Sequence, residues 1–240
     1  MSQLTLCVDI DNVVAATDSV IRHLIRERTE GRVELEYSEI REFDYCLCPA
    51  RTGGALTKAE WHDVHIAFSE PSNILKLSPF PGAQGQLRKL MERFRLHFAT
   101  ARLPKARQAT IEWLEREGFP DHSLHFLRFG EKHLFLTNFS AVVEDDYDQA
   151  RSFAEAGTPS FLLRHPWNAA KPVVANLQWA GDWSELSEKL LTTFPTTRGR
   201  PNSRVTRCHF DHSNANRVFM SRSNRPYGFT CSQISGVSAA

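Results

Sequence analysis

The sequence predicts a three-layer α/β fold, a parallel sheet with helices on both faces, interrupted early by a helical insertion. Three observations predict it. Leu4, Leu6, Val8 and Ile10 alternate with Thr5, Cys7 and Asp9 as a strand does. From residue 81 onward, apolar helices and short apolar strands alternate, the signature of parallel pairing with crossover helices. Between these two regions, from Arg32 to about Pro81, the pattern is irregular.

The first strand runs into a helix whose Val20, Ile21, Leu24 and Ile25 share one face, capped by Asp18 or Ser19 and ending near Gly31. Within the irregular stretch, Thr57 and Glu60 form a capping-box pattern ahead of a helix striped by Trp61, Val64 and Phe68. Aromatic residues seven apart on a helix usually belong to a core; the alternative is that Trp61 and Phe68 stack a base or sugar. Beyond Pro79-Phe80-Pro81-Gly82 comes a helix with Leu87, Leu90, Met91 and Phe94, then a strand from Leu96 to Thr100. A helix from Pro104 to Gly118 has proline near its start and glycine at its stop. A strand from Leu124 to Phe129, a strand from Ser140 to Val143, a helix from Asp148 to Gly157 and a strand from Ser160 to Leu163 complete the pattern. The expected organisation is a Rossmann-like core of residues 1–14 and 81–195, a helical cap of residues 15–80, and a disordered basic tail of residues 196–240.

Composition narrows the functional classes. The chain of 240 residues is long enough for a full core, and no stretch approaches the ~18 apolar residues of a membrane-spanning helix. Five scattered cysteines do not form a disulfide framework, and no signal-like segment opens the chain, so a cytoplasmic location is expected. The net charge of +1 conceals an asymmetry: seven arginines and one acid after residue 195 leave about −5 on the remainder. Such a tail with its aromatics can bind nucleic acid, but its composition first suggests disorder, and nucleic acid is not the expected partner.

Ligands of open parallel sheets bind outside the carboxyl ends of the strands. Those ends carry Asp9 and Asp11, then Thr100, Ala101 and Arg102, then Lys132, then Glu144, Asp145 and Asp146. Two carboxylates two residues apart project to one face and repel by roughly 4 kcal/mol at an effective dielectric near 20, so they call for a counter-charge. Phosphoryl transfer uses such a set. Asp9 suits a nucleophile on phosphorus, Asp11 a proton donor and later a base, and Thr100, Arg102 and Lys132 suit phosphate oxygens. Magnesium, a hard cation, would be held by Asp9, Asp11 through its backbone carbonyl, and Asp145. Cys46, Cys48, His62 and His65 do not follow structural zinc spacing.

These segments resemble the haloacid dehalogenase superfamily of phosphatases. Asp9-Ile10-Asp11 matches the first motif, Phe98-Ala99-Thr100 the second, Lys132 the third and Val143-Glu144-Asp145-Asp146 the fourth. The helical insertion, the re-entry at residues 79–82 and the Glu131-Lys132 to Asp145 spacing are similar to the 5′(3′)-deoxyribonucleotidase branch. The resemblance spans about residues 4–193. It implies a small-molecule phosphate monoester substrate, Mg2+ and an aspartyl-phosphate intermediate, and leaves a homodimer open. Two departures stand out: Asn12 replaces the usual glycine, which asparagine can do in a left-handed turn, and Ala101-Arg102-Leu103-Pro104 follows the second motif. Within this reading the substrate is a (deoxy)nucleoside monophosphate; a sugar phosphate, or nucleotide binding without hydrolysis, is the alternative.

Overall fold

The computed structural model describes residues 3–119 and 123–195. In chain order they form β1 (Leu4–Asp9), α1 (Asp18–Arg28), α2 (Lys58–Phe68), α3 (Pro71–Ile74), α4 (Ala83–Met91), β2 (Phe94–Thr100), α5 (Arg107–Arg116), β3 (Ser123–Phe126), α6 (Lys132–Phe135), β4 (Ala141–Glu144), α7 (Tyr147–Glu155), β5 (Ser160–Leu163), β6 (Leu177–Ala180) and α8 (Trp183–Thr193). Short 3-10 turns occur at Tyr37–Glu39, Tyr45–Leu47 and Pro104–Ala106. The expected tail, residues 196–240, lies outside the described residues.

All strand pairs are parallel, in the order β3-β2-β1-β4-β5-β6. This is the predicted three-layer α/β fold. The order reverses between β1 and β4, and the crevice at such a reversal is where ligands of these sheets sit. Strand alternation divides the core. Leu6, Val8, Phe98, Val143 and Phe161 pack with Leu87 of α4, Trp113 of α5 and Leu186 of α8 on one face. Cys7, Ala99 and Val142 face the other way, toward Phe153 of α7. Leu6, Val8, Phe98 and Val143 are wholly buried, each worth about 1.5–3 kcal/mol. The period of two places Asp9 on the α7 side, with Cys7.

Residues 15–80 leave and return through one narrow doorway. Ala16 N–H donates to the Ser78 carbonyl at 2.9 Å, and Phe80 N–H to the Val14 carbonyl at 2.7 Å. Inside the excursion, the capping box at α2 is complete: Thr57 Oγ1 accepts from Glu60 N–H and the Glu60 carboxylate accepts from Thr57 N–H. Val33, Leu35, Ile40, Leu56 and Val64 from this segment join the same apolar cluster as Leu6 and Val8.

Several boundaries differ from the sequence reading. Helix α1 starts at Asp18 with Thr17 before it, and Asn12 Oδ1 rather than an adjacent side chain accepts the Asp18 N–H at 2.8 Å. Strand β3 ends at Phe126 instead of Phe129, because its partner β2 ends at Thr100, whose carbonyl takes the last bond, from Leu127 N–H. Strand β6 was not expected, since Leu177-Gln178-Trp179-Ala180 is too short to show a period.

Candidate functional site

Asp9 closes β1 and Ile10 N–H caps its Oδ1 at 2.8 Å. Immediately after it the chain turns tightly, with Val14 N–H donating to Ile10 O and Asn12 N–H to Ala15 O. Asn12 sits at φ 57°, so the left-handed conformation expected of it is present. Asn12 joins three parts of the site, two through its side chain and one through its carbonyl. Oδ1 receives the first N–H of α1, Nδ2 donates to Asp145 Oδ2 at 3.4 Å, and the Asn12 carbonyl bonds His165 Nε2 at 2.9 Å.

Lys132 opens α6 and is buried against two acids. Its ammonium lies 2.8 Å from Asp9 Oδ1 and 3.1 Å from Glu144 Oε2. Burial works against the charge, but Asp9 and Glu144 outweigh it and hold Lys132 protonated far above the ordinary lysine range. Glu144 ends β4 and Asp145 follows it, and parallel pairing beside β1 brings carboxylate oxygens of Asp9, Glu144 and Asp145 within 4.8 Å of one another. Burial first, then the charge of Asp9 and the neighbouring acids, raises Asp145 well above the usual carboxylate range. Glu144 is raised to about 8 for the same leading reason, burial. Asp146 caps α7 by accepting from Asp148 N–H at 2.9 Å.

Asp11 stands apart from that cluster. Thr17 Oγ1 donates to its Oδ1 at 2.8 Å and Thr100 Oγ1 to its Oδ2 at 3.0 Å. Arg102 grips the same carboxylate, with Nη2 2.7 Å from Oδ1 and Nε 3.1 and 3.2 Å from the two oxygens. Burial alone would raise Asp11, but the Arg102 charge and these hydrogen bonds outweigh it and hold the carboxyl below its ordinary value.

Asp9, Asp11, Ala101, Arg102, Lys132 and Asp145 all line one cavity of about 270 Å³. Thr100 is adjacent but fully buried, its hydroxyl directed to Asp11 and its Oγ1 accepting Arg102 N–H. The structure therefore brings Thr100 and Arg102 to Asp11, whereas the sequence placed them on phosphate. It also groups Glu144 with Asp9 and Asp145, while the Asp11 carboxylate points to Arg102. The cavity walls hold residues the sequence reading did not select: Phe43, Tyr45, Phe129, Gln149 and Trp167. Phe43 and Phe129 stack at 5.6 Å, and Trp61 and Phe68, expected in the core, face the cavity as well. No period marks Phe43, Phe129 or Trp167, because all three lie in loops.

The acid cluster fits a hard cation. Asp9 and Asp145 offer oxygen donors alone, and with Glu144 their carboxylate oxygens lie within 4.8 Å of one another.

Comparisons with known proteins agree with this fold. No family model matches the chain. A relative from Staphylococcus epidermidis, named "Putative 5'(3')-deoxyribonucleotidase", is 25% identical over 171 residues, covering 70% of this chain and 88% of the relative. A Bacillus subtilis protein named "Putative nucleotidase YqfW" is 25% identical over 187 residues, covering 76% and 91%. Among solved structures, a haloacid dehalogenase-like hydrolase from Streptococcus pneumoniae aligns with TM-score 0.55 at 14% identity, over 79% of this chain and all of that one. A haloacid dehalogenase family hydrolase from Deinococcus radiodurans, solved with bound phosphate and sodium, aligns with TM-score 0.53 at 13% identity, over 78% and 95%. Among the described residues no helix is long and apolar enough to cross a membrane. The chain has the haloacid dehalogenase-like fold, and its sequence resembles proteins named as nucleotidases.

Proposed function

We propose that the chain is a magnesium-dependent phosphatase of phosphate monoesters, with (deoxy)nucleoside monophosphates as substrates. The observation that supports it most is the buried ion pair of Asp9 with Lys132 beside Asp145, at the reversal of the sheet order. In this reading an Asp9 oxygen attacks phosphorus and the bond from phosphorus to the ester oxygen breaks. An aspartyl phosphate forms, and water then releases inorganic phosphate and restores the carboxylate. Lys132 holds Asp9 in place and offsets charge on the phosphoryl oxygens. Asp11, held ionised by the Arg102 fork, takes a proton from the attacking water; to give one to the leaving oxygen it first takes up a proton as the bound phosphoryl group draws Arg102 away, while Thr17 and Thr100 fix its orientation. Magnesium held by Asp9, the Asp11 carbonyl and Asp145 would neutralise phosphoryl charge. Residues 15–80 act as a cap that brings Phe43, Trp61 and Phe68 over the site and excludes water.

The aromatic walls favour a flat leaving group, which points to a nucleoside rather than a bare sugar. A phosphate-release panel with magnesium, comparing dUMP, dTMP, purine nucleotides and sugar phosphates, tests this. Preference for nucleotides supports the reading; strong activity on sugar phosphates with none on nucleotides overturns the nucleotidase assignment and keeps the phosphatase.

A further inference from the structure

Gln149 of α7 lines the cavity and is only 4% exposed, yet its Oε1 has no hydrogen-bond partner. Of the buried side-chain atoms without a partner among the described residues, it is the one whose residue faces this cavity. Buried polar groups in folded proteins are nearly always paired, and leaving one unpaired weakens the fold. Such an atom on a cavity wall is completed from outside the chain, by water or by a bound molecule that displaces it.

Most of the other neutral polar groups on the wall are already engaged, the Trp61 indole and the His65 ring, which meet edge to face, being the exceptions. Thr17 donates to Asp11, Ser69 to the His65 carbonyl, Tyr45 to Asp18 and the Trp167 indole to the Asp145 carbonyl. Asn12 is held by Asp145 and α1. Gln149 is thus a neutral polar side chain of the wall left with an open acceptor. Its helix begins directly after Asp146, so it lines the cavity on the side of the acids.

Resting on the phosphatase reading, we infer that Gln149 determines specificity: its side-chain amide accepts a hydrogen bond from an N–H or O–H on the leaving group. The substrate class is then a phosphate ester whose leaving group carries a donor among apolar surface. Sites built around such a bond reject analogues that lack the donor far more strongly than apolar walls reject a change of size.

The test uses the full chain with magnesium, wild type against Gln149→Met and Gln149→Leu. The esters are dUMP and glucose 6-phosphate, which bear donors, and phenyl phosphate, whose leaving group bears none once bonded to phosphorus. For the better donor-bearing ester, the ratio of its kcat/KM to that of phenyl phosphate should fall about 10–100-fold in both variants, chiefly through KM. Their thermal midpoints should equal or exceed the wild-type value, because an unpaired buried group has been removed. An unchanged ratio, or a lowered midpoint in both variants, would overturn the assignment and make Gln149 a structural residue. A wild type that releases phosphate from none of the esters would overturn the phosphatase reading itself and the inference with it.

Discussion

Arg102 and Asp11 form a forked ion pair, Nη2 at 2.7 Å and Nε at 3.1 and 3.2 Å, with the arginine side chain 1% exposed. Arg102 Nη1 donates to Thr110 Oγ1 of α5 at 3.0 Å and its guanidinium lies 5.5 Å from the Phe68 ring of α2. The fork therefore fixes the second aspartate against both the core and the inserted segment. Lysine cannot reproduce a planar two-pronged grip. Arg102→Lys should lower kcat about 10–100-fold while changing KM less, and the rate-controlling ionisation assigned to Asp11 should move to higher pH. Steady-state kinetics across pH check both; an unchanged profile would remove Arg102 from the positioning of Asp11.

Lys132 is the cation of a buried acid cluster, so removing it strands charge. Lys132→Met should destabilise the fold by about 3–5 kcal/mol at pH 8. At pH 5 the loss should be smaller, because the remaining acids can take up protons. Urea unfolding at the two pH values measures the difference; equal losses would contradict the ion-pair account.

Glu144 and Asp145 give the metal-free fold a specific pH dependence. Glu144 is raised from 4.5 to about 8, and Asp145 is raised too. A raised folded-state value gives stability that is fully present below the unfolded value and lost as pH rises through the folded one. The metal-free protein should therefore lose stability between about pH 4.5 and 8, and magnesium should offset the loss at the upper end. Thermal melts with magnesium and with chelator should differ by about 5–10 °C at pH 8 with the ion in hundredfold excess over its dissociation constant, and by less at pH 5.

His165 supplies a term of opposite sign. Its ring is stacked on Trp167 at 4.3 Å, contacts Tyr37 Oη through Nδ1 at 2.8 Å and donates from Nε2 to the Asn12 carbonyl. Burial lowers it from 6.5 to about 4 despite that last bond. A depressed value leaves stability intact above pH 6.5 and removes it as pH falls toward 4, on the order of 3 kcal/mol in full. His165→Gln should be less stable than wild type at pH 7, with the gap narrowing by about 2–3 kcal/mol near pH 4.5. Denaturant melts of the two proteins over that range check the convergence.

Much of this was legible in the sequence because strand alternation and helix stripes are local. Asp9 and Asp11 at the end of β1, Lys132 after β3 and Asp145 after β4 follow from period and order alone, and Asn12 announced its left-handed turn. The contacts of Arg102 were not legible, since its partner lies 91 residues away and nothing local separates a phosphate-binding arginine from one that grips a carboxylate. The aromatic walls were hidden for the same reason: Phe43, Phe129 and Trp167 sit in loops without a period. Trp61 and Phe68 did have one, and the helix face they share meets the cavity as well as the core.

The most direct test of the account is phosphate release by Asp9→Asn beside wild type, with magnesium and the preferred ester. Asparagine keeps the shape of Asp9 but lacks the nucleophilic carboxylate and its charge. The account predicts magnesium-dependent turnover by wild type and a loss on the order of a thousandfold or more in the variant, with no phosphorylated enzyme trapped. Full magnesium-dependent activity of Asp9→Asn would contradict it.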